Sequence, residues 1–222
     1  KDPKTYEHIA PEKVGNQRNV VVSDQAGRSN VLARFREIGI NVEAEDKKVS
    51  GLLEEVKQRE HDGYAYDGAE ASFELLARRA LDFVPDYFLL QSFRVMDERR
   101  WNAKGELITL SEATIKIKIG DNTFMTVAEG NGPVNALDNA LRKALNSAYP
   151  QLVDMKLTDY KVRIISSNAG TEAITRVMIE SVDDNGERWS TVGVSANVID
   201  ASYNALHDAI TYKLYRDGVD CA

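Results

Sequence analysis

The feature that most constrains this chain is an internal duplication with a period of 65 residues. Residues 130–141 (GNGPVNALDNAL) are echoed by residues 195–206 (SANVIDASYNAL), so aligned positions differ by 195 minus 130. A solenoid needs about three or more units to bury its faces, whereas this chain offers two. The duplication therefore predicts a pseudo-symmetric domain with a cleft where the two copies join. The matched pairs are Ala136/Ala201, Asn139/Asn204, Ala140/Ala205 and Leu141/Leu206, with Phe124/Trp189 and Thr126/Thr191 upstream.

In the first copy, a glycine loop joins a β-type run to a helix. Gly130 and Gly132 permit tight backbone geometry, and Pro133 suits the first helical turn, where its missing N–H has no cost. The free N–H groups of such a turn attract an anion, for example the carboxylate of a small ligand. An ordinary strand-to-helix turn has the same residues, so the motif alone leaves both interpretations open.

Hydrophobic periodicity divides the chain into a helical part and a mixed part. In residues 1–84, apolar residues recur at helical spacing and predict helices over about 23–38, 47–61 and 69–83. In residues 85–222, alternation predicts strands, most clearly where Ile115, Ile117 and Ile119 share one face. A βββα unit at about 86–148 repeats at about 157–215, with a hairpin loop expected over residues 97–107. The predicted class is α+β, with two antiparallel three-stranded sheets and one helix covering each.

Composition argues against several classes of function. The net charge is −7, whereas nucleic-acid binding favours a basic surface. No apolar run approaches the roughly 20 residues that a membrane span needs. The single cysteine, Cys221, can form no intrachain disulfide and fits a reducing cytoplasm. His8, His61 and His207 are too far apart in sequence for a local metal motif, so no complete active site is predicted.

Three segments carry a family resemblance when they are taken together. They are residues 6–15 (YEHIAPEKVG), residues 26–30 (AGRSN) and the glycine loop at 130–134 (GNGPV) of the duplicated unit. In this order they resemble the C-terminal part of the α-isopropylmalate synthase and citramalate synthase family, with citramalate synthase the nearer branch. The resemblance covers nearly the whole chain. It implies a linker and small helical subdomain at 1–84, followed by a LeuA-type regulatory, dimerising domain at 85–222.

In that family a TIM barrel condenses acetyl-CoA with a 2-oxo acid at a divalent metal, and the regulatory domain binds the end-product amino acid. The barrel and its metal-binding histidines are absent from this sequence. The resemblance therefore implies a regulatory fragment, inactive alone, of an acyltransferase that makes citramalate from pyruvate. It also implies a homodimer inhibited by isoleucine. Leucine sensing in an α-isopropylmalate synthase is the alternative within the family, and a dimerisation module without a ligand is an alternative of another class.

The resemblance also assigns individual residues. The family's linker tyrosine, which assists the active site of the neighbouring subunit in the full-length enzyme, corresponds to Tyr6. The family's effector pocket lies between the two units. Its small apolar residues and one tyrosine would hold a branched aliphatic side chain, and backbone N–H groups would meet the ligand's carboxylate. The positions that correspond to this pocket are Gly130, Gly132, Val134, Asn135, Leu157, Tyr160, Ile164, Gly170, Thr171, Ile174 and Val198.

Overall fold

The structure is a computed structural model that describes residues 13, 28–40, 47–81, 84–165, 170 and 172–222. Among these residues, no helix is long and apolar enough to cross a membrane. The helices are α1 (Arg28–Glu37), α2 (Lys47–His61), α3 (Glu70–Ala80), α4 (Pro133–Leu145) and α5 (Val198–Arg216), with a 3₁₀ turn at Pro150–Asp154. The strands are β1 (Leu89–Trp101), β2 (Leu107–Ile119), β3 (Asn122–Gly130), β4 (Lys156–Ile164), β5 (Thr175–Val182) and β6 (Arg188–Ser195).

The strands form two separate antiparallel sheets that repeat one topology. The first sheet has the order β1-β2-β3 and the second the order β4-β5-β6, and each is followed by a helix that packs on it. Ile115, Ile117 and Ile119 all point into the core beneath α4, as their alternation predicts. The α+β class and the two βββα units are therefore confirmed.

The prediction of a hairpin loop over residues 97–107 is wrong, because the two strands extend into this range. β1 continues to Trp101 and β2 begins at Leu107, so that Asp97 pairs with Ser111 and Trp101 pairs with Leu107. Only residues 102–106 form the turn, with Gly105 at a positive φ of 77°. The charged sequence suggests a loop because its side chains are exposed, but ladder hydrogen bonds form between backbone groups and do not require apolar side chains.

The duplicated residues make the same contacts in both units. The Thr126 hydroxyl donates to the Ala140 carbonyl at 2.7 Å, and the Thr191 hydroxyl donates to the Ala205 carbonyl at 2.8 Å. Both alanines are fully buried. In each unit a threonine of the third strand thus fixes the helix against its sheet, and the small alanine side chain allows the two backbones to approach closely.

At Gly193, the backbone of β6 lies very close to the backbone of α5. A Cβ atom added at this position would lie 2.0 Å from the Ala201 carbonyl oxygen and 2.8 Å from the Ala205 nitrogen. Because both neighbours are helix backbone atoms, neither can move without shifting α5. The contact therefore requires glycine for space rather than for backbone freedom.

We expect Gly193→Ala to lower the free energy of unfolding by about 2–3 kcal/mol, since the added methyl group must push α5 off the second sheet. Urea denaturation measures this change. Gly51→Ala in α2 is the matched control, because the added methyl group meets no neighbouring atom within 4 Å. The free energy of unfolding of this variant should rise by about 0.5–1 kcal/mol. A Gly193→Ala protein as stable as its parent would contradict the packing argument.

Helix α5 lies at the centre of the molecule. Most of its residues from Ala201 to Leu214 are buried, including the polar Ser202, Thr211 and Lys213. It covers β5 and β6, and the Tyr203 ring also packs on Phe93 of the first sheet with centroids 5.6 Å apart. A helix buried on several sides lacks a polar face, which explains why its sequence shows weak amphipathic periodicity.

Helix α3 docks on α5 and β6 through a polar cluster around Asp208. Ser72 donates to Asp208 at 2.9 Å, and Arg79 donates to the other carboxylate oxygen at 2.8 Å. The Ser72 hydroxyl in turn accepts from the Val192 backbone N–H at 3.0 Å. Burial would raise the pKa of Asp208, but His207 and Arg79 stabilise the carboxylate more strongly and hold its pKa below the ordinary value of 3.8.

This lowered pKa predicts acid sensitivity. The folded state binds the Asp208 proton less readily than the unfolded state, so the stabilisation is complete above pH 3.8 and is lost as the pH falls through the folded-state pKa. We expect Asp208→Asn to lower the free energy of unfolding by about 1–3 kcal/mol at pH 7. On acidification, the free energy of unfolding of this variant should fall less than that of the parent. Urea denaturation from pH 7 to pH 3 measures both, with Asp121→Asn in an exposed turn as the control. Parallel pH profiles for parent and Asp208→Asn would contradict the assignment.

Candidate functional site

A groove of about 630 Å³ that includes predicted site residues lies between α4 of the first unit and β4 of the second. We call it the α4–β4 groove. The groove lies where the two copies join, which is where the duplication predicts a cleft. Its lining consists of Val134, Asn135, Asp138, Asn139, Arg142, Asn146, Leu152, Val153, Met155, Lys156, Leu157 and Tyr160.

The two walls of the groove differ in chemistry. The helix α4 supplies a mostly polar wall, because residues at intervals of three or four positions share one face. The 3₁₀ turn and β4 supply a mostly apolar wall, with Leu152, Met155 and Leu157 beside the Tyr160 ring. An amphipathic cavity of this size suits a small ligand with a polar end and an aliphatic end.

At the polar wall, Asp138 and Arg142 form an ion pair with 2.9 Å between Oδ1 and Nε. Only 13% of the Asp138 side chain and 17% of the Arg142 side chain are exposed. Arg142 Nη1 also donates to the carbonyls of Leu152 and Met155, at 3.4 and 2.9 Å. Burial raises the pKa of Asp138, and the Arg142 charge opposes this without cancelling it. The pair therefore joins α4 to the 3₁₀ turn across the groove.

The apolar wall is tied to the start of α5. The Tyr160 and Ser202 hydroxyl oxygens are 2.7 Å apart, and Ser202 donates to the Val198 carbonyl at 2.6 Å. Since the serine has one proton and gives it to Val198, Tyr160 is the donor to Ser202. A residue that lines the groove is thus fixed to the second unit's helix.

A buried ionic network holds the 3₁₀ turn from the other side. Lys213, whose side chain is 2% exposed, lies 3.3 Å from Asp154, 3.2 Å from Asp183 and 2.7 Å from Asp217. Burial would lower the pKa of Lys213, but its three carboxylate partners raise it, so the ammonium stays charged. Asp154 lies between two lining residues, Val153 and Met155, and the network therefore sets the position of that wall.

The second unit differs from the first at the positions that correspond to the Asp138–Arg142 pair. Asp138 and Arg142 correspond to Tyr203 and His207, each 65 residues later. Tyr203 packs on Phe93 at 5.6 Å, and His207 packs on Phe88 at 4.8 Å, so α5 and β1 meet through ring contacts. The duplication has thus diverged at this place: one copy carries a charge pair beside a groove, and the other an aromatic cluster.

The structure brings four predicted site residues together. Val134, Asn135, Leu157 and Tyr160 line the α4–β4 groove. Val198 does not line it, but is connected to it through Ser202 and Tyr160. The other predicted residues that the structure describes lie outside the lining, and Tyr6 and Thr171 lie outside the described residues. Those outside the lining are Gly130, Gly132, Ile164, Gly170 and Ile174.

The two loop glycines differ in what they do. A Cβ atom at Gly130 would lie 2.3 Å from the Ala136 nitrogen, so this glycine lets β3 pass close to the first turn of α4. Gly132 has no atom within 4 Å of the position of an added Cβ, and its φ of −178° is ordinary extended backbone. It precedes α4 as the N-cap residue and provides no side-chain cap.

Sequence reasoning predicted Asn135 on the polar wall but missed Asp138, Arg142 and the 3₁₀ turn. Asp138 and Arg142 follow Val134 at four-residue spacing, which is a signal that could have placed them on the same helix face. Leu152 and Met155 had no comparable signal, because a short 3₁₀ turn has no hydrophobic period and its burial depends on the Lys213 network.

Comparison with known proteins agrees with this architecture. The LeuA allosteric (dimerisation) domain family matches residues 67–214, and the homocitrate synthase post-HMGL domain-like family matches residues 1–63. The (R)-citramalate synthase of Geobacter sulfurreducens is 52% identical over 214 residues, which make up 96% of this chain and 40% of that protein. That of Aquifex aeolicus is 47% identical over 217 residues, 98% of this chain and 40% of that protein.

This chain therefore spans 40% of the length of these two relatives. The LeuA match includes both βββα units, the α4–β4 groove and α3. On the extent of that match, the chain belongs to the family of LeuA allosteric (dimerisation) domains.

Proposed function

We propose that this chain is the regulatory C-terminal part of an acyltransferase that condenses acetyl-CoA with pyruvate to form citramalate, and that it binds isoleucine as a feedback inhibitor. The observation that carries the proposal is the α4–β4 groove, an amphipathic cavity between the two units of an allosteric domain. The name (R)-citramalate synthase on relatives at 52% and 47% identity supports the parent reaction and its place in branched-chain amino-acid biosynthesis.

The groove can receive the carboxylate and the aliphatic end of such an amino acid. The first turn of α4 starts at a glycine cap and a proline, so backbone N–H groups there are available to a carboxylate. The Leu157 and Tyr160 side chains form an apolar surface for the branched aliphatic end. Leucine is the second candidate, because moving one methyl group changes the affinity of an apolar pocket by only about 1–3 kcal/mol.

The chemical reaction belongs, in this proposal, to a catalytic barrel that precedes the chain in the full-length enzyme. That barrel would supply the divalent metal and bind acetyl-CoA and the 2-oxo acid, and the 222-residue chain alone would catalyse no condensation. Tyr6 would assist the active site of the neighbouring subunit in the assembled, cytoplasmic enzyme.

We expect isoleucine to bind the chain and Tyr160→Ala to weaken this binding by about tenfold or more, because the substitution removes a wall of the groove. Gly132→Val should also weaken binding, by crowding the helix start, and should fold normally because the added atoms enter open space. Calorimetric titration with isoleucine, leucine and valine measures both effects. Val162→Ala, on the same strand but outside the lining, is the matched control. Unchanged affinity in both variants would place the effector elsewhere.

The proposed assembly is a homodimer. The dimerisation domain match supports it, and so does the outer face of the first sheet, where apolar side chains are exposed. Met96 is 63% exposed and Met125 68% exposed, on the face opposite the buried Ile115 and Ile117. On this face Met96 pairs with Glu112 and Met125 with Lys116, so apolar and charged side chains alternate, as in many surfaces that pair with a second copy.

Light scattering at micromolar concentration should give twice the 24.7 kDa mass of one chain. Met125→Lys should shift the population toward monomer, because a charge buried in the interface is unfavourable. Lys104→Met, in the exposed turn between β1 and β2, is the control and should leave the mass unchanged. A monomer mass for the parent chain would refute the dimer.

A further inference from the structure

The lining of the α4–β4 groove, among the residues that the structure describes, includes one carboxylate, that of Asp138. Asp138 lies one turn beyond Val134 on the face of α4 that lines the groove. Its Oδ1 accepts from Arg142, and its second oxygen has no hydrogen bond to the residues that the structure describes. Arg142 is itself fixed by the Leu152 and Met155 carbonyls, so the carboxylate is held in one position.

A free amino acid presents an ammonium group as well as a carboxylate. Taking an ammonium group out of water is costly unless it finds an acceptor, and a carboxylate is the strongest acceptor that a protein offers. The start of α4 offers N–H donors, which suit the ligand's carboxylate but not its ammonium. Asn135 already uses its side-chain oxygen to accept from the Asn131 N–H. Among the described lining residues, Asp138 is the only carboxylate.

We infer that Asp138 is a specificity-determining residue of the proposed effector site: its free oxygen accepts the ligand's α-ammonium group, while the start of α4 receives the carboxylate. The inference rests on the proposed function and adds to it the residue that recognises the effector's ammonium group. Arg142 is a positioning residue, since it bonds the carboxylate and the 3₁₀ turn at once.

The second unit differs at the corresponding positions. Tyr203 and His207 stand 65 residues after Asp138 and Arg142, and their rings pack on Phe93 and Phe88. The βββα scaffold therefore forms without a carboxylate–guanidinium pair at these positions.

The test compares two ligands on the parent chain and on Asp138→Asn by calorimetric titration. The ligands are isoleucine and 3-methylpentanoate, which has the same aliphatic end and carboxylate but no ammonium group. We expect the parent to prefer isoleucine by about tenfold or more, and Asp138→Asn to bind isoleucine roughly ten- to a hundredfold more weakly. Binding of 3-methylpentanoate should be unchanged or tighter in the variant, because it places no cation beside residue 138.

The amide of Asp138→Asn keeps an acceptor for Arg142, and Asp121→Asn in the exposed β2–β3 turn is the matched control. Equal isoleucine affinity in the parent and Asp138→Asn would overturn the inference while leaving the proposed function intact. Equal affinity of the parent for the two ligands would overturn it as well, and this comparison holds even if the variant does not fold. If the parent binds none of isoleucine, leucine and valine, the proposed function fails and the inference fails with it.

Discussion

The close packing of two alanine-faced helices on their sheets is the constraint on which the rest of this structure depends. Ala140 and Ala205 are fully buried, and a threonine of each third strand donates to their carbonyls. Larger residues at these positions would separate helix from sheet, because a packed interior cannot absorb an added methyl group without movement. With α4 and α5 seated in this way, the two units share a core and leave the α4–β4 groove at their join.

Helix α5 connects the regions that an allosteric domain has to couple. Ser202 in its first turn bonds the Tyr160 wall of the groove, Asp208 in its middle holds α3, and Lys213 in its last turn holds the 3₁₀ turn. A ligand shifts an equilibrium only through different affinities for two states. Helix α5 contacts the groove near one end and the helical segment in its middle, so it cannot tilt without moving both contacts; a ligand bound as proposed would act through this helix.

The two copies illustrate how one duplicated scaffold can keep its packing while its surfaces diverge. The alanine and threonine contacts are the same in both units. The helix faces one turn away differ, with Asp138 and Arg142 in one copy and Tyr203 and His207 in the other. The alanine and threonine residues are restricted by packing against the unit's own sheet, since both copies need the same helix-to-sheet distance. Asp138 and Arg142 in one copy, and Tyr203 and His207 in the other, face the opposite unit. At that place the fold is compatible with either an open groove or a cluster of rings.

The sequence by itself determined the βββα repeat and the α+β class, because hydrophobic period and turn residues act locally and a duplication reports its own alignment. The resemblance to a family, rather than any such pattern, pointed to Val134, Asn135, Leu157 and Tyr160, which lie along the α4–β4 groove. Only the tertiary structure decided that β1 continues through its charged end, that Asp138 and Arg142 line the polar wall, and that the 3₁₀ turn joins β4 in the apolar wall. Those features depend on contacts between residues distant in sequence, such as Lys213 with Asp154, and no local pattern encodes such contacts.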